Sequence, residues 1–97
     1  MKVVFDAPTA NALARARVAA LGLFESDRDA GIRILVHGEA VKAVIDAPDA
    51  KTDPLLVLCE GSLLEQGLTR PPGIEATPSG IFLLARLQRK GWAYVRS

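Results

Sequence analysis

Ile32-Arg33-Ile34-Leu35-Val36 and Leu55-Leu56-Val57-Leu58 are the two runs whose reading decides the fold. Side chains along a strand alternate between faces, so aliphatics at consecutive positions make a strand that is apolar on both sides. That pattern belongs to parallel strands covered by helices above and below, because an open antiparallel sheet would show polar residues at every second position. The first run stops at His37-Gly38 and the second at Cys59, so chemistry-bearing residues follow directly on buried strands.

Working outward, Lys2 to Phe5 is a β-branched and aromatic run that reads as a first strand. After Pro8-Thr9, the apolar positions Ala10, Leu13, Ala16, Ala20, Leu21 and Phe24 recur at helical spacing, with Gly22 weakening the last turn. Glu25 to Asp29 is a polar connector, and Glu39 to about Asp46 predicts a short helix after the second strand. Gly61-Ser62 opens another short helix over Leu63 to Gln66, and the Pro71-Pro72 connector delivers a brief strand at Ile74-Glu75-Ala76. Thr77 as cap and Pro78 at the first helical position predict the start of the last helix, whose apolar face is Ile81, Leu84, Ala85 and Leu87. Arg86, Arg89 and Lys90 complement its carboxyl end, Gly91 is placed for a left-handed cap, and Trp92 to Val95 makes a fifth strand. Five strands alternating with four helices predict one domain over residues 1–97. It is α/β in class, a doubly wound three-layer α/β/α fold on a five-stranded parallel sheet.

Composition limits the function classes. The chain has 97 residues, 49% hydrophobic and 24% charged, which is one core's worth of sequence and too apolar for a disordered chain. Aliphatic excess with 5% aromatics suggests that some apolar surface meets another subunit, so a homo-oligomer is expected. Net charge is +1 with no basic stripe, which argues against a nucleic-acid partner. No apolar run approaches the roughly 18 residues of a membrane span, and the first residues lack the apolar core of a secretion signal, so no membrane partner and a cytoplasmic location are expected. One cysteine cannot form an internal disulfide, and no zinc-site spacing surrounds it.

The stretch Gly73-Ile74-Glu75-Ala76-Thr77-Pro78-Ser79-Gly80, continuing through Leu87-Gln88-Arg89-Lys90-Gly91-Trp92-Ala93-Tyr94-Val95, resembles the DsrE/DsrF-like family of small sulfur-relay proteins. Lys2-Val3-Val4-Phe5, His37-Gly38 and Cys59 fall in the family's order, so the similarity spans nearly the whole chain. The resemblance implies a three-layer fold, assembly into trimers or hexamers, and a cysteine that carries persulfide sulfur between protein donors and acceptors. Two features depart from the family pattern. Glu60-Gly61-Ser62-Leu63-Leu64 stands where many relatives carry an asparagine-threonine-leucine-like run, and the chain is shorter than the dedicated sulfur-transfer subunits.

Cys59 is the strongest nucleophile, placed where a strand gives way to Gly61, Ser62 and a helix start. Amides at such a start favour the thiolate, the form that attacks or accepts a sulfane sulfur, and no metal or organic cofactor is required. An inert packing role for Cys59 stays open, since free cysteine is among the most buried residue types and Glu60 beside it opposes a second negative charge. His37 ends the second strand as Cys59 ends the third, so an imidazole–thiol pair forms only if those strands are neighbours. Its alternative is a strand-end ring bonded to backbone, with Gly38 making a tight turn. Asp6 and Ser79 share the same sheet edge and read most simply as turn and capping residues. Single glycines near His37 and Ser62 do not make a dinucleotide fingerprint, and neither Ser62 nor Ser79 has the flanking glycines of a nucleophile elbow. Two functions follow: a sulfur carrier or sulfur-transfer protein with persulfide on Cys59, or a non-catalytic oligomeric binding or scaffold module with a structural cysteine.

Overall fold

Strand β1 (Lys2–Ala7) leads into helix α1 (Ala10–Ser26), β2 (Gly31–Val36) and α2 (Ala40–Asp46) in the computed structural model, which describes residues 1–97. A 3-10 turn at Asp53–Leu55 then starts β3 (Leu56–Cys59), followed by α3 (Glu60–Glu65), β4 (Glu75–Thr77), α4 (Gly80–Arg89) and β5 (Ala93–Arg96). All neighbouring strands are parallel, in the order β4-β3-β2-β1-β5. The expected α/β fold with a five-stranded parallel sheet between helical layers is the one formed.

The order explains the layers. Three successive crossovers, through α1, α2 and α3, step one strand at a time in the same direction. The fourth, through α4, returns across the sheet to the far side of β1. Right-handed crossovers that travel in opposite directions must lie on opposite faces. Accordingly α1, α2 and Leu63 of α3 cover one face in a core of 17 buried residues, while α4 alone covers the other, where only Val4, Leu35 and Leu87 are buried together. The first face holds the fold. The second is thin, and the apolar Ile81 and Phe82 of α4 are 80% and 72% exposed.

Several boundaries shift from the sequence reading for local reasons. Ser79, not Thr77, caps α4: its hydroxyl accepts from the Phe82 N–H at 3.3 Å, and Pro78 therefore precedes the helix instead of opening it. Helix α3 begins at Glu60, which makes Cys59 itself the capping position. Leu55 belongs to the 3-10 turn before β3, and β4 and β5 each lie one residue further along than their apolar runs suggest. For the helices the capping geometry sets the start, and for β4 and β5 hydrogen-bond registry with the neighbouring strand sets the ends, neither of which apolar content reports.

A polar clamp fixes the start of β3. Arg17 on α1 donates to Asp53 at 2.8 Å and to the hydroxyl of the fully buried Thr52. Since β3 ends in Cys59, this clamp anchors the strand that presents the thiol. Leu58, fully buried just before it, packs in the larger core. Leu58→Ala should lower the unfolding free energy in urea titration by about 2–5 kcal/mol through lost contacts and a residual cavity. Leu64→Ala, at a side chain 82% exposed, should change it by less than about 0.5 kcal/mol.

Candidate functional site

The strand register assembles the site. Asp6 pairs with Leu35, and Leu35 with Val57, so these three side chains share one face of the sheet. Two residues further along β2 and β3 come His37 and Cys59, on that same face by the two-residue period of a strand. Asp6 on β1, His37 after β2 and Cys59 on β3 thus stand in a row at the carboxyl edge, on the side covered by α4. The chains leaving β3 and β4 diverge to opposite faces, and that divergence opens a crevice at the strand ends where open α/β sheets bind ligands. A cavity of about 400 Å3 lies there, lined by Asp6, His37, Cys59, Ser62, Gly80 and the apolar Leu84 among others.

Cys59 is half-buried. Burial of its sulfur pushes the thiol pKa up, but the N–H groups of Ser62 and Gly80, the Ser62 hydroxyl and the Gly61 N–H face it and outweigh that effect, leaving the pKa below the ordinary thiol value. None of these closes a strict capping bond onto the sulfur; they act together as a ring of partial positive charge. Helix α3 has six residues, so its own amides at the first turn matter more than any macrodipole. Gly80 contributes from a different element. A Cβ at Gly80 would come within 3.2 Å of Leu35 Cδ2, so glycine lets the start of α4 pack closely on the sheet beside the sulfur without displacing that side chain.

Ser62 has a second bond that orients it. The Gly38 N–H donates to Ser62 Oγ at 3.0 Å, occupying an acceptor position and leaving the hydroxyl proton for Cys59. Gly38 holds a left-handed conformation with φ of +58°, and a Cβ there would meet the Pro8 carbonyl oxygen at 2.9 Å. The tight turn expected after His37 is therefore formed, and it delivers a donor to the site.

His37 does not pair with Cys59. Strand order makes β2 and β3 neighbours, but the His37 ring is held by Asp6, whose Oδ1 lies 2.6 Å from Nε2. A carboxylate oxygen accepts, so Nε2 carries the proton and Nδ1 is the nitrogen left for other partners. The other Asp6 oxygen accepts from the Tyr94 hydroxyl on β5. That hydrogen bond, with burial and the adjacent negative charge, raises the Tyr94 pKa above the ordinary phenol value. Asp6 is buried and carries two polar partners, one just past the end of β2 and one on β5.

Of the residues singled out in the sequence, Cys59, His37, Gly61 and Ser62 come together at this edge, as does Gly80 beside them. Ser79 lines the cavity, but its hydroxyl is spent on capping α4, so it is a structural residue of the rim. Asp6 corrects the reading in the other direction: it is no turn residue but the carboxylate that links His37 to Tyr94. The alternative reading of His37, a ring bonded to backbone, gives way to a ring bonded to a side chain. Tyr94 and the Gly80 amide are the members that sequence reasoning missed. Strand parity could have flagged Tyr94 only once β5 was known to lie beside β1, and a backbone donor leaves no sequence signal. Glu60 is exposed and lies outside the cavity lining, so the opposition it offered to a thiolate does not operate at close range. No cluster of histidine, cysteine and carboxylate groups is arranged to hold a metal ion, and no helix is long and apolar enough to cross a membrane.

The chain matches no protein-family model, and no curated protein matches it. Among solved structures it is similar to protein MTH1491 of Methanobacterium thermoautotrophicum, a protein of unknown function. The two superpose with a TM-score of 0.81 over 99% of this chain and 98% of that one, at 19% sequence identity. At that identity the likeness extends to the fold.

Removing one donor from the ring tests the account of the thiol. Ser62→Ala should move the rising limb of the pH–alkylation profile of Cys59 to higher pH, because the thiolate loses a stabilising partner while the thiol loses little. Ultraviolet thiolate absorbance during titration should show the same upward displacement.

Proposed function

We propose that this protein accepts and hands on sulfane sulfur, holding it as a persulfide on Cys59. The observation that carries the reading is the cysteine sulfur at the wall of an open cavity, faced by donors from two separate elements that favour its anionic form. A buried structural thiol would need neither the cavity nor the donors. The resemblance of the closing third of the chain to sulfur-relay proteins supports the same reading.

The chemistry uses only groups that are present. The Cys59 thiolate attacks the outer sulfur of a persulfide R–S–SH, forming a new sulfur–sulfur bond as the old one breaks, and RS⁻ departs and takes up a proton to become the thiol. The sulfane atom changes carrier without net oxidation or reduction. The bound terminal sulfur ionises in turn and extends one bond further into the cavity. Delivery to an acceptor thiolate is the same step in reverse. No cofactor enters either direction.

Assembly into a trimer or hexamer, a protein sulfur donor or acceptor, and a cytoplasmic setting in which thiols stay reduced belong to the same proposal. The exposed Ile81 and Phe82 at the thin face support contact with another protein surface beside the cavity.

Intact-protein mass spectrometry tests the carrier role. After exposure to a low-molecular-weight persulfide and removal of excess reagent, the reduced protein should gain the mass of one sulfur atom, and a reducing thiol should discharge it. Cys59→Ser should gain nothing. A wild-type protein that stays at its starting mass would overturn the proposal.

A further inference from the structure

The cavity holds an acid-base pair, buried Asp6 and half-buried His37, that the carrier role as stated leaves unused. Tyr94 and Asp6 lie on adjacent strands, Asp6 bridges the phenol to the imidazole, and His37 stands one strand away from Cys59 on the same face. Neighbouring strands run about 4.8 Å apart and both His37 and Cys59 line the cavity, so a sulfur compound engaged with Cys59 shares that space with the His37 ring. Nothing in the packing demands this arrangement. A leucine at position 6 would extend the apolar face already made by Val4 and Leu35, whereas a buried carboxylate costs desolvation that its two hydrogen bonds must offset. Nε2 is committed to Asp6, which fixes the ring and leaves Nδ1 as its working nitrogen.

From this geometry we propose that His37 is a catalytic acid and base for sulfur exchange at Cys59, with Asp6 and Tyr94 as the positioning residues that hold its ring. The inference rests on the sulfur-transfer reading and deepens it. When the Cys59 thiolate attacks the outer sulfur of R–S–SH, the departing RS⁻ takes the proton from the Nδ1–H of protonated His37, so a free thiol leaves and the ring becomes neutral. In the return direction neutral Nδ1 takes the proton of the incoming thiol, which then attacks as thiolate. Donors whose leaving thiols are basic gain most, since an acidic thiol departs without help. The site is thereby suited to aliphatic thiols and persulfides, such as those of cysteine residues and small aliphatic carriers.

Three electrophiles acting on the same cysteine separate this role from a structural one. Iodoacetamide expels iodide and needs no proton, an aromatic disulfide expels an acidic thiol, and an aliphatic disulfide expels a basic one. In His37→Gln the rate with the aliphatic disulfide should fall at least about a hundredfold, the low end of general acid catalysis. The rates with iodoacetamide and the aromatic disulfide should stay within about twofold of wild type. Asp6→Asn should reproduce the selective loss, because an amide can donate to Nε2 and stabilise the other tautomer. Equal loss with all three reagents, or no loss with any, would overturn the assignment, and His37→Gln alone suffices if Asp6→Asn does not fold. Failure of the two ideas is distinguishable. Selective loss in a protein that never gains sulfur mass would refute the carrier reading and leave the acid in place, while sulfur loading without selective loss would refute the acid alone.

Discussion

The in-register parallel ladder from β1 through β3 is the constraint on which everything else depends. It sets Asp6, Leu35 and Val57 side by side, and the two-residue period then carries His37 and Cys59 to the same face at the carboxyl edge. A slip of one residue in any strand would turn its contribution into the opposite core. The register is held from below: Phe5, Ile34, Val36, Leu56 and Leu58 point into the large core beneath α1 and α2, where no polar residue would be tolerated. The site inherits its geometry from the face that does not contain it.

The uneven division of the two faces follows from chain direction. Three crossovers forward and one back leave α4 as the sole cover of the second face, and a ten-residue helix cannot shield five strands. The space it leaves open at the strand ends is the cavity. The descent of Gly80 onto Leu35 closes one wall and supplies a donor, so the same close contact both anchors α4 and equips the thiol. Gly38 plays the matching part on the other side, with a left-handed turn that aims its N–H at Ser62.

Electrostatically the edge has two halves. At Cys59 burial opposes the anion and local donors prevail, leaving a thiol that ionises more readily than usual. At Asp6 the negative charge sits among the donors of His37 and Tyr94, and the cost appears in Tyr94, whose proton is held more tightly. A nucleophile tuned toward its anion, in the same cavity as an imidazole fixed by a carboxylate, is the arrangement on which the proposed sulfur exchange relies.

The sequence by itself determined the parallel α/β class. The mostly apolar Ile32 to Val36, interrupted by Arg33, and the aliphatic Leu55 to Leu58 favour a sheet buried on both sides, and the turn signals between them leave room for helical crossovers. It also marked His37, Cys59, Gly61 and Ser62, because reactive residue types ending buried strands stand out against an aliphatic background. Tertiary structure alone decided which of these meet. By its place in the sequence Asp6 reads as a turn residue, but β5 returns beside β1 and brings Tyr94 to it, and the fold gives His37 to Asp6 rather than to Cys59. The Gly80 amide was invisible for a related reason: every residue but proline carries an N–H, and only the descent of α4 singles that one out. Local pattern reports what a strand can bury, whereas partnership across a parallel sheet depends on crossover connections whose order the pattern does not encode.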